Sequence, residues 1–206
     1  DAYQKLLPDD VRVNGPDHPG TLTTRNQIGY YQSETGDHHA ALNTHQQLLP
    51  DRTRALGPDH PHTLKTRFSI AKCLGKTGNP QAALDAYQKL LPDDVRVNGP
   101  DHPGTLTTRN QIGYYQSETG DHHAALGTYL ELLPDRTRAL GPDHPHTLNT
   151  RYQIAWWTYQ SGNTTKAIEL LTALLHDRTR VLGPNHSSTQ LSKKVLQRWK
   201  NKLSGQ

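Results

Sequence analysis

Cysteine is almost absent: the 206-residue chain has one, Cys73. No internal disulfide framework is possible. A lone cysteine reads as a small helix residue before a reactive thiol, because thiolate activation needs a special setting. Methionine is missing altogether, so Asp1 is not expected to be a native start. Apolar residues make up 32% and aromatics 6%, with a single phenylalanine. That is low for a globular domain and predicts a thin, elongated core rather than a central one. No apolar run approaches the ~20 residues that span a bilayer, so no membrane role is expected. No secretory leader pattern is seen, and the expected compartment is the cytoplasm. Phosphate-cradling glycine loops of the G-x-x-x-x-G-K-[ST] or G-x-G-x-x-G kind are missing too.

What the sequence has is a repeat. Gly57-Pro58-Asp59-His60-Pro61-His62-Thr63-Leu64 returns at Gly141 to Leu148. Close variants start at Gly15 and Gly99, and a worn copy at Gly183, so the copies are 42 positions apart. A fixed period of this size marks stacked supersecondary units. A longer period is superposed on it: residues 1–42 are identical to 85–126, while 43–84 match 127–168 less closely. This suggests a recent duplication or an engineered chain. Asp1-Ala2-Tyr3-Gln4 corresponds to Asp85-Ala86-Tyr87-Gln88, so the chain is expected to open partway through a repeat of a longer array.

Within one unit, Gly57-Pro58 makes a turn, and Pro61 is tolerated in a first helical turn. Leu64, Arg67, Ile70, Ala71 and Leu74 fall at helical spacings. Gly78-Asn79-Pro80 ends that helix and opens a second, which carries Ala83, Leu84, Tyr87, Leu90, Leu91, Val95 and Val97. Each unit is therefore a pair of antiparallel helices, A and B. The expected layout is one array over 1–206. Helix B spans 1–14, pairs span 19–56, 61–98, 103–140 and 145–182, and a capping helix spans 188–203. The cap has an apolar stripe of Leu191, Val195, Trp199 and Leu203, with Lys193, Lys194, Arg198, Lys200 and Lys202 mostly off it. Pro8, Pro50, Pro92 and Pro134 fall inside helix B, where the fourth pair has His176. An interior proline costs roughly 3 kcal/mol, so a kink or break is expected at Pro50, Pro92 and Pro134, and a straighter helix through His176.

The pattern resembles tetratricopeptide repeats, in the 42-residue form of kinesin light chains and many bacterial proteins. The residues that carry it are Ile28, Gly29, Gly36, Ala41 and Leu42, then Ile70, Ala71, Gly78, Ala83 and Leu84. They recur as Ile112, Gly113, Gly120, Ala125 and Leu126, and as Ile154, Ala155, Gly162, Ala167 and Ile168. The usual aromatic before the turn glycine is replaced by Gln32, Leu74, Gln116 and Thr158. The resemblance implies an all-α, right-handed superhelical solenoid of antiparallel helix pairs. Its concave face, lined by A helices, would bind peptides or protein segments, with no reaction and no cofactor.

The Asp-His pairs at 17–18, 59–60, 101–102 and 143–144 invite an acid–base reading. An active site needs one constellation, not one at every loop, so capping of helices is the better account. The histidines at 38–39, 60, 62, 122–123, 144 and 146 do not converge as three or four metal ligands should, and no metal site is expected. Net charge is +4, but basic residues are spread out and nearly matched by acids. Nucleic acid would want a clustered basic stripe and is disfavoured, standing as the weakest alternative.

Mapping the family's groove positions gives Asn26 and Tyr30, then Lys65, Phe68, Lys72 and Lys76. It continues with Asn110 and Tyr114, and ends with Asn149, Tyr152, Trp156 and Tyr159. Amides pair a peptide backbone and rings take its side chains. Tyr30, Tyr114 and Trp156 are expected to be exposed, Phe68, Trp157 and Tyr31 to be packed. The second and fourth pairs should decide the ligand, because they break the duplicated pattern. The leading expectation is a non-enzymatic interaction module, part of a larger regulatory protein. It would take a protein or peptide ligand that has an acidic part and an aromatic or apolar part. The alternative is a structural array that self-associates through helix 1–14.

Overall fold

The computed structural model describes residues 2–205 and has ten α-helices and no strands among them. They are α1 Ala2–Asn14, α2 Pro19–Glu34, α3 His38–Leu56, α4 Pro61–Lys76 and α5 Pro80–Asn98. Then come α6 Pro103–Glu118, α7 His122–Leu140, α8 Pro145–Gln160, α9 Thr164–Leu182 and α10 Ser187–Leu203. Asp1, the first residue of the expected 1–14 helix, lies outside the described residues.

The helix ends follow from the punctuation. Every A helix starts with an N-cap histidine, His18, His60, His102 or His144, as does α10 with His186. Nδ1 of His60 accepts from the backbone N–H of His62 at 3.1 Å, and His144 repeats the contact with His146. This satisfies one of the orphan donors of a first helical turn. The histidine of each loop Asp-His pair is therefore a cap, and the aspartate meets an arginine of the B helix, as Asp59 meets Arg96 at 2.6 Å. The turns between A and B helices need a left-handed residue, supplied for example by Gly36 (φ 89°).

The chain divides into two compact units, 1–99 and 100–206. In the first, α1 to α5 each pack on the next helix in sequence; in the second, α6 to α10 do the same. Close approach rests on small residues. Ala41, Ala71, Ala83, Ala125, Ala155 and Ala167 are all fully buried. A Cβ on Gly29 would come within 2.7 Å of the His45 ring, and one on Gly113 within 3.0 Å of the Tyr129 ring.

The low apolar content has a direct cause. Part of the core is threonine rather than aliphatic side chain: Thr21, Thr24, Thr63, Thr66, Thr105, Thr108, Thr147 and Thr150 are buried. Several of them serve a charged residue in the B helices. Thr24 Oγ1 donates to the Asp10 carboxylate at 2.6 Å. Arg52 donates to Thr66 Oγ1 at 2.7 Å, Arg136 to Thr150 Oγ1 at 2.6 Å and Arg178 to Ser192 Oγ at 2.7 Å. A hydroxyl both donates and accepts, so one position serves an aspartate or an arginine.

No break occurs at the helix B prolines, and the expected apolar stripe of α10 is corrected. The B helices run without a break through Pro50, Pro92 and Pro134, and α3, α5 and α7 are each as long as α9, which has His176 instead. In two of them an outside donor serves a carbonyl three residues before the proline: Arg25 reaches Gln47 O at 3.2 Å and Arg67 reaches Lys89 O at 2.9 Å. These contacts help to satisfy a ladder that proline weakens. In α10 the buried residues are Thr189, Ser192, Leu196 and Trp199, while Leu191 and Leu203 are exposed. A strict i, i+4 row turns about 40° per step off the helix axis, so it leaves the contact line within three steps.

Candidate functional site

In the first unit, α2 and α4 wall a cleft of about 240 Å³ lined by Asn26, Gln27, Tyr30, Ser33, His45, Lys65, Ser69, Lys72 and Cys73. Both helices lie over α3, which supplies His45 from below. Four of the expected groove residues meet here: Asn26, Tyr30, Lys65 and Lys72. Tyr30 is exposed and stands edge-on to Tyr31, with ring centres 5.4 Å apart. Lys65 is exposed, and Lys72 Nζ lies 3.9 Å from the Glu34 carboxylate, so that pair is a loose one.

Asn26 is not a free amide. It is buried, and its Oδ1 accepts from Arg52 Nη1 at 3.0 Å. Arg52 also donates to Leu22 O at 3.2 Å, His62 O at 3.0 Å and Thr66 Oγ1. All four partners are neutral. Burial pulls the guanidinium down to about 10, which leaves it charged at neutral pH. It therefore adds a fixed positive charge behind the cleft. Arg136 holds Asn110 Oδ1 at 2.9 Å in the same manner. These buried arginines were not singled out in the sequence; the available signal was a charged residue recurring at a fixed place among helix B leucines.

His45 forms the floor. It is 2% exposed, its ring lies against Gly29, and its Nδ1 has no hydrogen-bond partner. Desolvation, helped by the nearby Arg52 charge, pushes its pKa down to about 4. Cys73 is buried, and burial pushes its thiol above the usual range. It is packing, as expected of a lone cysteine.

The remaining expected residues are placed elsewhere. Phe68 is half-buried with its ring edge-on to Tyr87 at 5.2 Å, and Lys76 is exposed in the last turn of α4. In the second unit Tyr114 is exposed and Asn149 is exposed, whereas Asn110 is half-buried on Arg136. The aromatic run of α8 is covered by α10. Tyr159 stacks on Trp199 with centres 4.4 Å apart and planes 3° from parallel, and Trp156 lies 6.1 Å from the same indole. Tyr152 sits under the Arg178 guanidinium at 5.1 Å. Trp156 is thus half-buried where exposure was expected. Trp157 is packed as expected, stacked on His122 at 4.7 Å, while Tyr31 is exposed against Tyr3.

The two units differ at the positions that make the cleft. His45, Lys72 and Cys73 correspond to Tyr129, Trp156 and Trp157. Bulkier groups stand where the first unit leaves room.

Helix pairs of 16 and 19 residues, repeated every 42 with a glycine turn inside each pair, define a helical-hairpin repeat protein. The tetratricopeptide-repeat family model matches residues 21–62, 105–146 and 147–188, more than half of the chain. The chain belongs to that family. The stretch 63–104 is not matched, although α4 and α5 have the same lengths as their counterparts. No curated protein matches the chain. Among solved structures, it resembles the nearly identical TPR-like repeats of a Podosopora anserina protein named for kinesin light chain. The TM-score is 0.77 at 19% identity, over 91% of this chain and 89% of that one. BtubC (BKLC) from P. vanneervenii aligns with a TM-score of 0.71 at 13% identity, over 100% of this chain and 91% of that one. A Rap protein complexed with Competence and Sporulation Factor aligns with a TM-score of 0.66 at 12% identity. That match covers 96% of this chain and 58% of the Rap chain. At these identities the likeness is one of fold.

Proposed function

We propose that the chain is a non-enzymatic protein-interaction scaffold, and that the α2–α4 cleft takes an acidic side chain of a peptide or partner segment. The observation that carries this is the pairing of Lys65 and Lys72 with the exposed ring of Tyr30 around a cleft backed by the Arg52 charge. At about 240 Å³ the cleft is smaller than the ~300–1,000 Å³ of small-molecule sites, which suits a side chain rather than a whole ligand. Tyr30 offers a flat apolar surface to a neighbouring apolar or aromatic residue of the same ligand. The Asn26 amide N–H groups remain available for a backbone carbonyl, since Arg52 occupies only Oδ1. Family membership supports a scaffold, and a Rap protein of the same fold has been solved with a partner factor bound. A cytoplasmic role within a larger regulatory protein belongs to the same proposal.

Selection from a displayed peptide library, followed by titration, tests the reading. Acidic peptides should be enriched. Lys72→Glu should weaken the selected peptide about tenfold or more at low salt and less at high salt, because exposed charges act over a Debye length of about 10 Å at 0.1 M. Tyr30→Ala should weaken it at both ionic strengths. Enrichment of neutral peptides, or affinity indifferent to both substitutions, rejects the cleft.

A further inference from the structure

Three positive charges meet at the α2–α4 cleft. Lys65 and Lys72 line it, and the buried Arg52 guanidinium stands behind Asn26. One negative charge answers them, the Glu34 carboxylate at 3.9 Å from Lys72 Nζ. Three against one leaves two positive charges unbalanced. No residue that lines the cleft is acidic, and Gln27 and Ser69 add further hydrogen-bond donors to its wall. Under them lies His45, 2% exposed, with Nδ1 unpaired. A buried polar group without a partner costs stability and calls for a reason. Packing alone does not supply one, because an apolar side chain, Leu171, fills the corresponding place in α9. The neutral imidazole has one N–H to offer to a group that enters the cleft. The second unit has none of this chemistry: Asn149, Trp156 and Tyr129 stand where the first has Lys65, Lys72 and His45.

A carboxylate brings one charge and two oxygens. It would leave one positive charge unbalanced and part of the donor set unused. A phosphomonoester brings about −1.5 to −2 charges at neutral pH and three strong acceptor oxygens. We propose that the cleft takes a phosphorylated side chain of a partner peptide, with the phosphoryl oxygens shared among Lys65, Lys72 and the imidazole of His45. This rests on the cleft as the binding surface and names the acid that fills it. The exposed Tyr30 ring at the mouth then meets the peptide beside the phosphorylated residue.

The test is fluorescence anisotropy of the intact chain with four labelled peptides, Ala-Ala-X-Ala-Trp-Ala-Ala. X is phosphoserine, phosphotyrosine, glutamate or serine. At least one phosphopeptide should bind about tenfold or more tighter than the glutamate peptide, because hydrogen bonds between charged groups are the strong ones. Lys65→Gln, at an exposed site, should erase most of that ratio. His45→Leu, which copies Leu171, should lower the ratio as well; circular dichroism checks its fold, and Lys65→Gln decides where the fold is lost. Neither substitution touches α10, so a ratio unchanged in Lys65→Gln means adhesion elsewhere and overturns the proposal. Inorganic phosphate should compete only at far higher concentration; competition as strong as that of the peptide would make the ligand a free phosphate and overturn the peptide. A glutamate peptide that binds as tightly as both phosphopeptides, and is weakened by Lys72→Glu, overturns the phosphate and leaves the acidic cleft standing. Absence of saturable binding by all four peptides rejects both.

Discussion

Single residues set the chemistry of the cleft, and His45 is the most exposed to test. Its counterparts are Tyr87, Tyr129 and Leu171, so it is the one ionisable imidazole at a buried position of the B helices. Its folded pKa is about 4 against an ordinary 6.5. Below 6.5 the unfolded chain takes up a proton that the folded chain refuses until about 4. Stability is therefore full above 6.5 and falls as pH drops from 6.5 to 4, by up to roughly 3 kcal/mol. His45→Tyr, which copies Tyr129 against Gly113, should flatten that slope in urea melts, leaving the part due to His62 and His146, which burial also lowers, and the later acid loss from the Asp–Arg pairs. An unchanged slope between pH 6.5 and 4 would mean that His45 is not buried neutral. At this scale the sequence was only partly legible. Asn26 and Asn110 were read as groove amides, but their oxygens are held by Arg52 and Arg136 from the next helix. That contact spans 26 residues and has no local pattern to announce it.

Elements were far more legible, because their ends are written in local chemistry. Gly-Pro turns, N-cap histidines and the A-to-B glycines mark the helix ends. Burial along a helix was harder, since it depends on which neighbour the helix meets. The buried row of α10 lies one row from the expected stripe, and Trp156, expected to be exposed, is covered by α10. The helix B prolines were expected to kink or break their helices, and no break occurs. Their cost should remain. Pro134 is solvent-exposed and its helix is intact, so Pro134→Ala should raise unfolding stability by about 1–3 kcal/mol in urea titration, less the entropy that proline removes from the unfolded chain. A loss of stability would mean that the helix has adapted to the ring itself.

On the scale of the whole molecule, charge is unevenly placed. Helix α10 carries Lys193, Lys194, Arg198, Lys200 and Lys202 and no acid, so its charge exceeds the +4 of the chain and the remainder is close to neutral. All five are exposed. Adhesion of acidic ligands to α10 at low salt is thus the competing explanation for any acidic binding, and it must be separated from occupation of the cleft. The duplication provides the means. Residues 19–34 and 103–118 are identical, so α2 and α6 are the same helix facing different neighbours. Specificity then lies in the blocks that differ, where the first unit has His45, Lys72 and Cys73. The decisive measurement is an amide chemical-shift titration of the intact chain with a selected acidic peptide. The account predicts large shifts at Gln27, Tyr30, Ser69 and Lys72, with Gln111 and Tyr114 unmoved. Equal shifts in both copies, or shifts confined to the lysines of α10, would contradict it.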